Sequence, residues 1–112
     1  MTVRARVKQI QVELRDGRDI PPMRLAEMLM QLTAMIGNCN AETREADAEF
    51  ATVLLTLLDQ EKKANRAKIR AETTDAYQRK REARDTKELV LSMVGSLKYS
   101  LRALEEEMRL AK

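Results

Sequence analysis

The chain has 112 residues, the size of about one domain, with 21 Lys and Arg against 18 Asp and Glu and a formal net charge of +3. It carries no histidine and a single cysteine, which removes the commonest general base near neutral pH and excludes an intrachain disulfide. Charged residues make up 35% of the chain while Gly and Pro number three and two, a composition suited to long helices rather than strands.

Val3, Val7, Ile10 and Leu14 are spaced 4, 3, 4 and fall on one side of a helix. "RDGRDIPP" stops that helix, with Gly17 suited to a left-handed C-terminal position and Pro21 and Pro22 unable to continue it. The first helix is expected over about 3–16. Pro22 can open a second helix without losing a needed hydrogen bond, and its stripe of Leu25, Leu29, Leu32 and Ile36 is flanked by Met28 and Met35. "GNCN" at 37–40 predicts an interruption, which gives a helix over 22–36. A third helix, over 41–72, carries Ala46, Phe50, Val53, Leu54, Leu57 and Leu58 on its apolar side.

The last helix is expected over 75–111. Val90, Val94, Leu97, Leu101, Leu104 and Met108 step by 4, 3, 4, 3, 4, and the same register extends back through Ala83, Lys80, Ala76 and Thr73 to Ile69. Thr74 can cap a restart, and "DTKE" at 85–88 offers a second start. Gly95 inside this helix costs about 1 kcal/mol relative to Ala or marks a close helix contact. Residues 41–94 hold no Gly or Pro, so the last two segments read most simply as one nearly continuous helix of about 105 Å at ~1.5 Å per residue. A compact bundle with breaks near 73–75 or 85 is the alternative. The expected fold is a single all-α domain, either a long-helix hairpin or a helical bundle with coiled-coil-like seams. A helix that long cannot bury its own stripe, so a homo-oligomer is expected.

Enzymatic activity is not expected. Glycines are isolated, so no phosphate loop forms, and Cys39 has no histidine to activate it. Carboxylate pairs such as Glu42 and Glu45 occur routinely on solvated helix faces, so no metal or other cofactor is expected. No stretch approaches the ~20 apolar residues of a membrane span, and "MTVRARVKQI" lacks the apolar core of a secretory signal. A soluble, cytoplasmic protein with a reduced thiol follows as the expectation.

Charge is unevenly distributed. Residues 1–18 sum to +3, residues 19–59 to −5 and residues 60–112 to +5. The segment "KKANRAKIRAETTDAYQRKREARD", residues 62–85, holds nine basic and four acidic side chains. On one long helix Lys63, Arg70, Tyr77 and Arg84 align at seven-residue intervals, with Arg66, Lys80 and Lys87 in a neighbouring column and Arg81 beside them. Such a stripe can track a phosphate backbone, and a tyrosine within it can stack on an unpaired base. Charged helices also carry charged faces as a matter of course. Yet Arg66–Arg70 and Lys80–Arg84 are like-charge i,i+4 pairs, which disfavour an isolated helix and call for a compensating anion: a bound polyanion, an acidic partner, or the acidic 19–59 segment of another copy.

The second half, "AYQRKREARDTKELVLSMVGSLKYSLRALEEEM", resembles small all-helical accessory proteins of phages, often encoded near replication and recombination functions. The resemblance spans roughly residues 69–109 and lies in a Lys/Arg-rich helix followed by the Leu-based "SLKYSLRALEEE". It implies a non-enzymatic phage-type protein that assists another factor or handles DNA.

Two functions are therefore expected in competition. One is binding of DNA or RNA without sequence specificity through Lys63, Arg66, Arg70, Tyr77, Lys80, Arg81, Arg84 and Lys87. The other is a protein-interaction module, an adaptor or inhibitor of a host or phage protein. It would dock through Leu25, Met28, Leu29, Leu32 and Met35, whose flexible thioethers suit adaptable grooves, and through Val90, Val94, Leu97, Leu101, Leu104 and Met108. Core packing is the ordinary use of both sets.

Overall fold

A computed structural model describes residues 2–16 and 19–111. The described chain is all α: α1 (Val3–Asp16), α2 (Pro22–Gln60), α3 (Ala64–Ala71) and α4 (Asp75–Leu110). Its contacts divide it into two compact units, the first made of residues 1–38 and 88–112 and the second of residues 39–87. Each unit is a packed set of helical segments.

In the first unit, the Thr2 hydroxyl accepts the Ala5 N–H at 3.1 Å and caps α1. The expected stop at Gly17 lies outside the described residues. Pro22 opens α2 as its spacing predicts, and Pro21 C=O accepts the first amides, from Arg24 and Leu25. Val7 and Ile10 of α1, Leu25, Met28, Leu32 and Met35 of α2, and Val90, Met93, Val94 and Leu97 of α4 are buried. The Arg24 guanidinium grips the Glu13 carboxylate with two hydrogen bonds of 3.0 and 2.6 Å, which ties α2 to α1 and holds that carboxyl below its usual pKa.

The predicted interruption at 37–40 does not occur; α2 runs through "GNCN" without a break. Packing overrides local propensity here. Met28, Leu32, Met35, Cys39, Ala46 and Leu57 are all buried, and their 4, 3, 4, 7, 11 spacing holds one helical face through the weak segment. Gly37 has no positive φ, and a methyl added at Gly37 or Gly95 would meet nothing within 4 Å. Neither glycine marks a close contact. Gly37→Ala and Gly95→Ala are each expected to stabilise the protein by about 0.5–1 kcal/mol, read as a rise in the thermal midpoint.

The second unit corrects the long-helix expectation. α2 ends at Gln60, and Lys63 is extended at φ −114° and ψ 126° before α3 begins. No Gly or Pro forces this break. The cause is the cluster of Leu57 with Ala67 and Ala71, against which Phe50, Val53 and Leu54 pack. In a continuous helix Leu57 and Ala71 would stand about 21 Å apart at ~1.5 Å per residue. Only a reversal lets the alanine face of α3 cover the apolar side of α2, and Arg70 closes the turn with a 2.5 Å ion pair to Glu61.

A second turn separates α3 from α4. Thr73 and Thr74 donate their hydroxyls to the Arg70 and Ala71 carbonyls at 2.7 and 2.6 Å. Thr74 also accepts the Tyr77 N–H at 3.3 Å and so caps α4, as its position predicts. The second candidate start, at 85–88, is not used. Thr86 lies mid-helix, buried, with its hydroxyl turned back onto the Glu82 carbonyl. The register traced from Val90 holds within α4, where Ala76 is buried and Lys80, Ala83 and Lys87 are half-buried. It does not extend to Thr73, which is exposed in the turn, or to Ile69, which is exposed in α3.

Candidate functional site

The predicted interaction seam lies mostly inside the first unit. Leu25, Met28, Leu32, Met35, Val90, Val94 and Leu97 are buried, Leu29, Leu101 and Leu104 are half-buried, and Met108 is 64% exposed. The outward side of α2 instead shows Met23 and Met30, seven residues apart, 76% and 72% exposed.

All eight predicted nucleic-acid residues fall in the second unit. They do not form one column. The turn at 72–74 resets the helical phase, so Lys63, Arg66 and Arg70 belong to α3 and its lead-in, whereas Tyr77, Lys80, Arg81, Arg84 and Lys87 belong to α4.

Four of the five α4 members, Tyr77, Lys80, Arg81 and Arg84, meet groups of this same chain. Lys80 Nζ sits 4.5 Å from the Phe50 ring centroid. Phe50 and Tyr77 stand 5.5 Å apart with their rings tilted by 48°, and the Arg81 guanidinium lies 5.9 Å from the Tyr77 centroid. Arg84 approaches Asp47 at 3.8 Å. Neighbouring Arg79 donates two hydrogen bonds to the Glu49 carboxylate, which push the pKa of its guanidinium further up. Asp47 and Glu49 of the acidic 19–59 segment thus answer Arg84 and Arg79 from within one chain, where another copy or a bound anion was expected. Helix α2 carries Asp47 and Glu49 alongside α4, so the contact is made by folding alone.

The α3 end is different. Lys62, Lys63, Arg66 and Lys68 are exposed, and none makes an ion pair with a described residue. With Ala67 and Ala71 turned inward and fully buried, the 100° step of an α-helix puts Arg66 and Lys68 on the two flanks of α3. Between them the crest holds Asn65 and Ile69, the latter 65% exposed. Lys62 and Lys63 extend the cluster into the extended lead-in. These are four exposed cations within seven residues, without an ion-pair partner among the described residues. Lys62 and Lys68 are absent from the sequence-derived set because selection by a seven-residue column passes over them; the plain density of basic residues in "KKANRAK" is the signal that finds them.

Cys39 is 2% exposed within α2, and burial, aided by the nearby Glu42, pushes its thiol pKa up. An apolar, buried thiol is unreactive. Cys39 is expected to react with a disulfide reagent more slowly than free cysteine at neutral pH and to become fast in denaturant, followed by the absorbance of the released thiolate. Among the described residues no group of three or more Cys, Asp or Glu side chains is placed to hold a metal ion. Among the described residues no helix is long and apolar enough to cross a membrane. No protein-family model matches the chain, and no curated protein or solved structure shows significant similarity to it.

Proposed function

We propose that the protein binds nucleic acid without sequence specificity, through the basic cluster of α3 and its lead-in. The observation that carries this reading is the set Lys62, Lys63, Arg66 and Lys68, exposed and without a carboxylate partner among the described residues, beside Arg79 and Arg84 of α4, which pair with Glu49 and Asp47. Free lysine and arginine at this density release counterions from a phosphate backbone on contact, which favours binding and makes it steeply salt-dependent. Flexible Lys and Arg side chains that contact phosphates fix position on the backbone and carry no sequence information. An accessory, non-enzymatic role of the phage type is consistent with this proposal and with the resemblance over 69–109.

A titration of labelled DNA or RNA by anisotropy tests it. Binding is expected at ~50 mM salt, weakening sharply by ~200 mM. A flat titration at ~50 mM salt with both DNA and RNA would remove the proposal.

A second reading, docking on a protein or on another copy of the chain, is favoured by one observation, the exposed Met23 and Met30 on one side of α2. The predicted seam would have to leave the first unit's interior to serve it, so these two side chains carry that reading in its place. A stoichiometric protein partner that survives nuclease treatment and is lost on Met23→Lys with Met30→Lys would establish it.

A further inference from the structure

We propose that the α3 face is built for the phosphate backbone of a duplex and binds single strands less well, because the aromatic rings of its unit are already occupied. This inference rests on the reading that the α3 cluster binds nucleic acid, and it names the class of nucleic acid.

Proteins that hold single strands combine a positive groove with aromatic side chains on which unpaired bases stack. The chain has only three aromatic side chains, Phe50, Tyr77 and Tyr99, and the second unit holds the first two. Neither is a free platform. Phe50 is half-buried, with the Lys80 ammonium over its ring and Tyr77 at its side. Tyr77 is half-buried between Phe50 and the Arg81 guanidinium. A base stacking on Tyr77 would compete with these neighbours, and displacing Phe50 would disturb packing against the Leu57–Ala67–Ala71 core. The crest and flanks of α3 present Asn65, Ile69, Arg66 and Lys68 and no ring at all.

What remains is charge on a folded helix. Charge alone favours the duplex, which carries one phosphate per ~1.7 Å of axis and a denser counterion atmosphere than a single strand. If the four free cations each neutralise one phosphate, the slope of log K against log salt is about −3.6 for a duplex and about −2.8 for a strand. Between ~50 and ~200 mM salt, duplex affinity then falls about 150-fold and strand affinity about 50-fold.

The test compares a mixed-sequence DNA duplex of about 20 base pairs with one of its strands, by anisotropy across that salt range. In parallel, the ring protons of Tyr77 are followed by NMR as strand is added, assigned against a Tyr99→Phe variant. Tighter duplex binding at ~50 mM salt, the two slopes above, and unmoved Tyr77 ring signals are the expected result. A strand that binds as tightly as the duplex, or an upfield shift of the Tyr77 ring protons on adding strand, overturns the duplex assignment while leaving nucleic-acid binding in place. Absence of binding to either form overturns both.

Discussion

Replacing Lys62, Lys63, Arg66 and Lys68 together with glutamate is expected to reduce nucleic-acid affinity at ~50 mM salt by more than about 100-fold and to bring the salt slope close to zero. All four side chains are exposed and none is held by an ion pair with a described residue, and surface changes of this kind shift stability by about ±0.5 kcal/mol each. The helical signal in circular dichroism should therefore survive. The change moves net charge from +3 to −5, since each substitution subtracts two units. A control must carry the same charge. Arg6, Lys8, Lys98 and Arg102 are exposed residues of the first unit, and their joint replacement by glutamate also gives −5. That control should lower affinity less than about tenfold, through long-range attraction alone. Equal losses in the two variants would mean that total charge, and not the α3 cluster, draws the ligand.

The same four residues show where the fold can be read from the sequence. The start of α2 is legible because Pro21 and Pro22 act locally on the backbone. The start of α4 is legible because the Thr74 hydroxyl sits where a cap is needed. The break at 61–63 is not, because "DQEKKAN" contains no Gly or Pro. It exists because Ala67 and Ala71 must return to Leu57, a contact between residues distant along the helix. Continuity through Gly37 and Asn38 is hidden for the opposite reason. Weak helix formers are carried by a buried stripe that includes Cys39. The turns change the site as well. Once the turn at 72–74 shifts the phase, Lys63 and Arg84 cease to share a column, and Lys62 and Lys68 join Lys63 and Arg66 as the free charges.

Leu32→Ala is expected to cost about 2–5 kcal/mol, since Leu32 is fully buried and truncation of such a side chain removes its transfer energy and leaves a cavity. Against the ~5–15 kcal/mol that holds a typical domain together, this is a large fraction, and the first unit should lose most of its protection from hydrogen exchange. Truncating Met108, which is 64% exposed in the same predicted seam, should change stability by about 0.5 kcal/mol or less. The contrast separates an internal core from an interface between copies. If the stripe of Met28, Leu32, Val90 and Leu97 is buried by the chain's own helices, the denaturation midpoint of the unaltered protein does not depend on protein concentration, and Leu32→Ala lowers it equally at every concentration. A seam completed by a second copy would instead give a midpoint that rises with concentration, because association stabilises only the folded state. Denaturant unfolding over a 100-fold range of concentration measures the difference. The packing of α1, α2 and α4 within the first unit, where Val7 and Ile10 are also buried, makes the concentration-independent result the expected one.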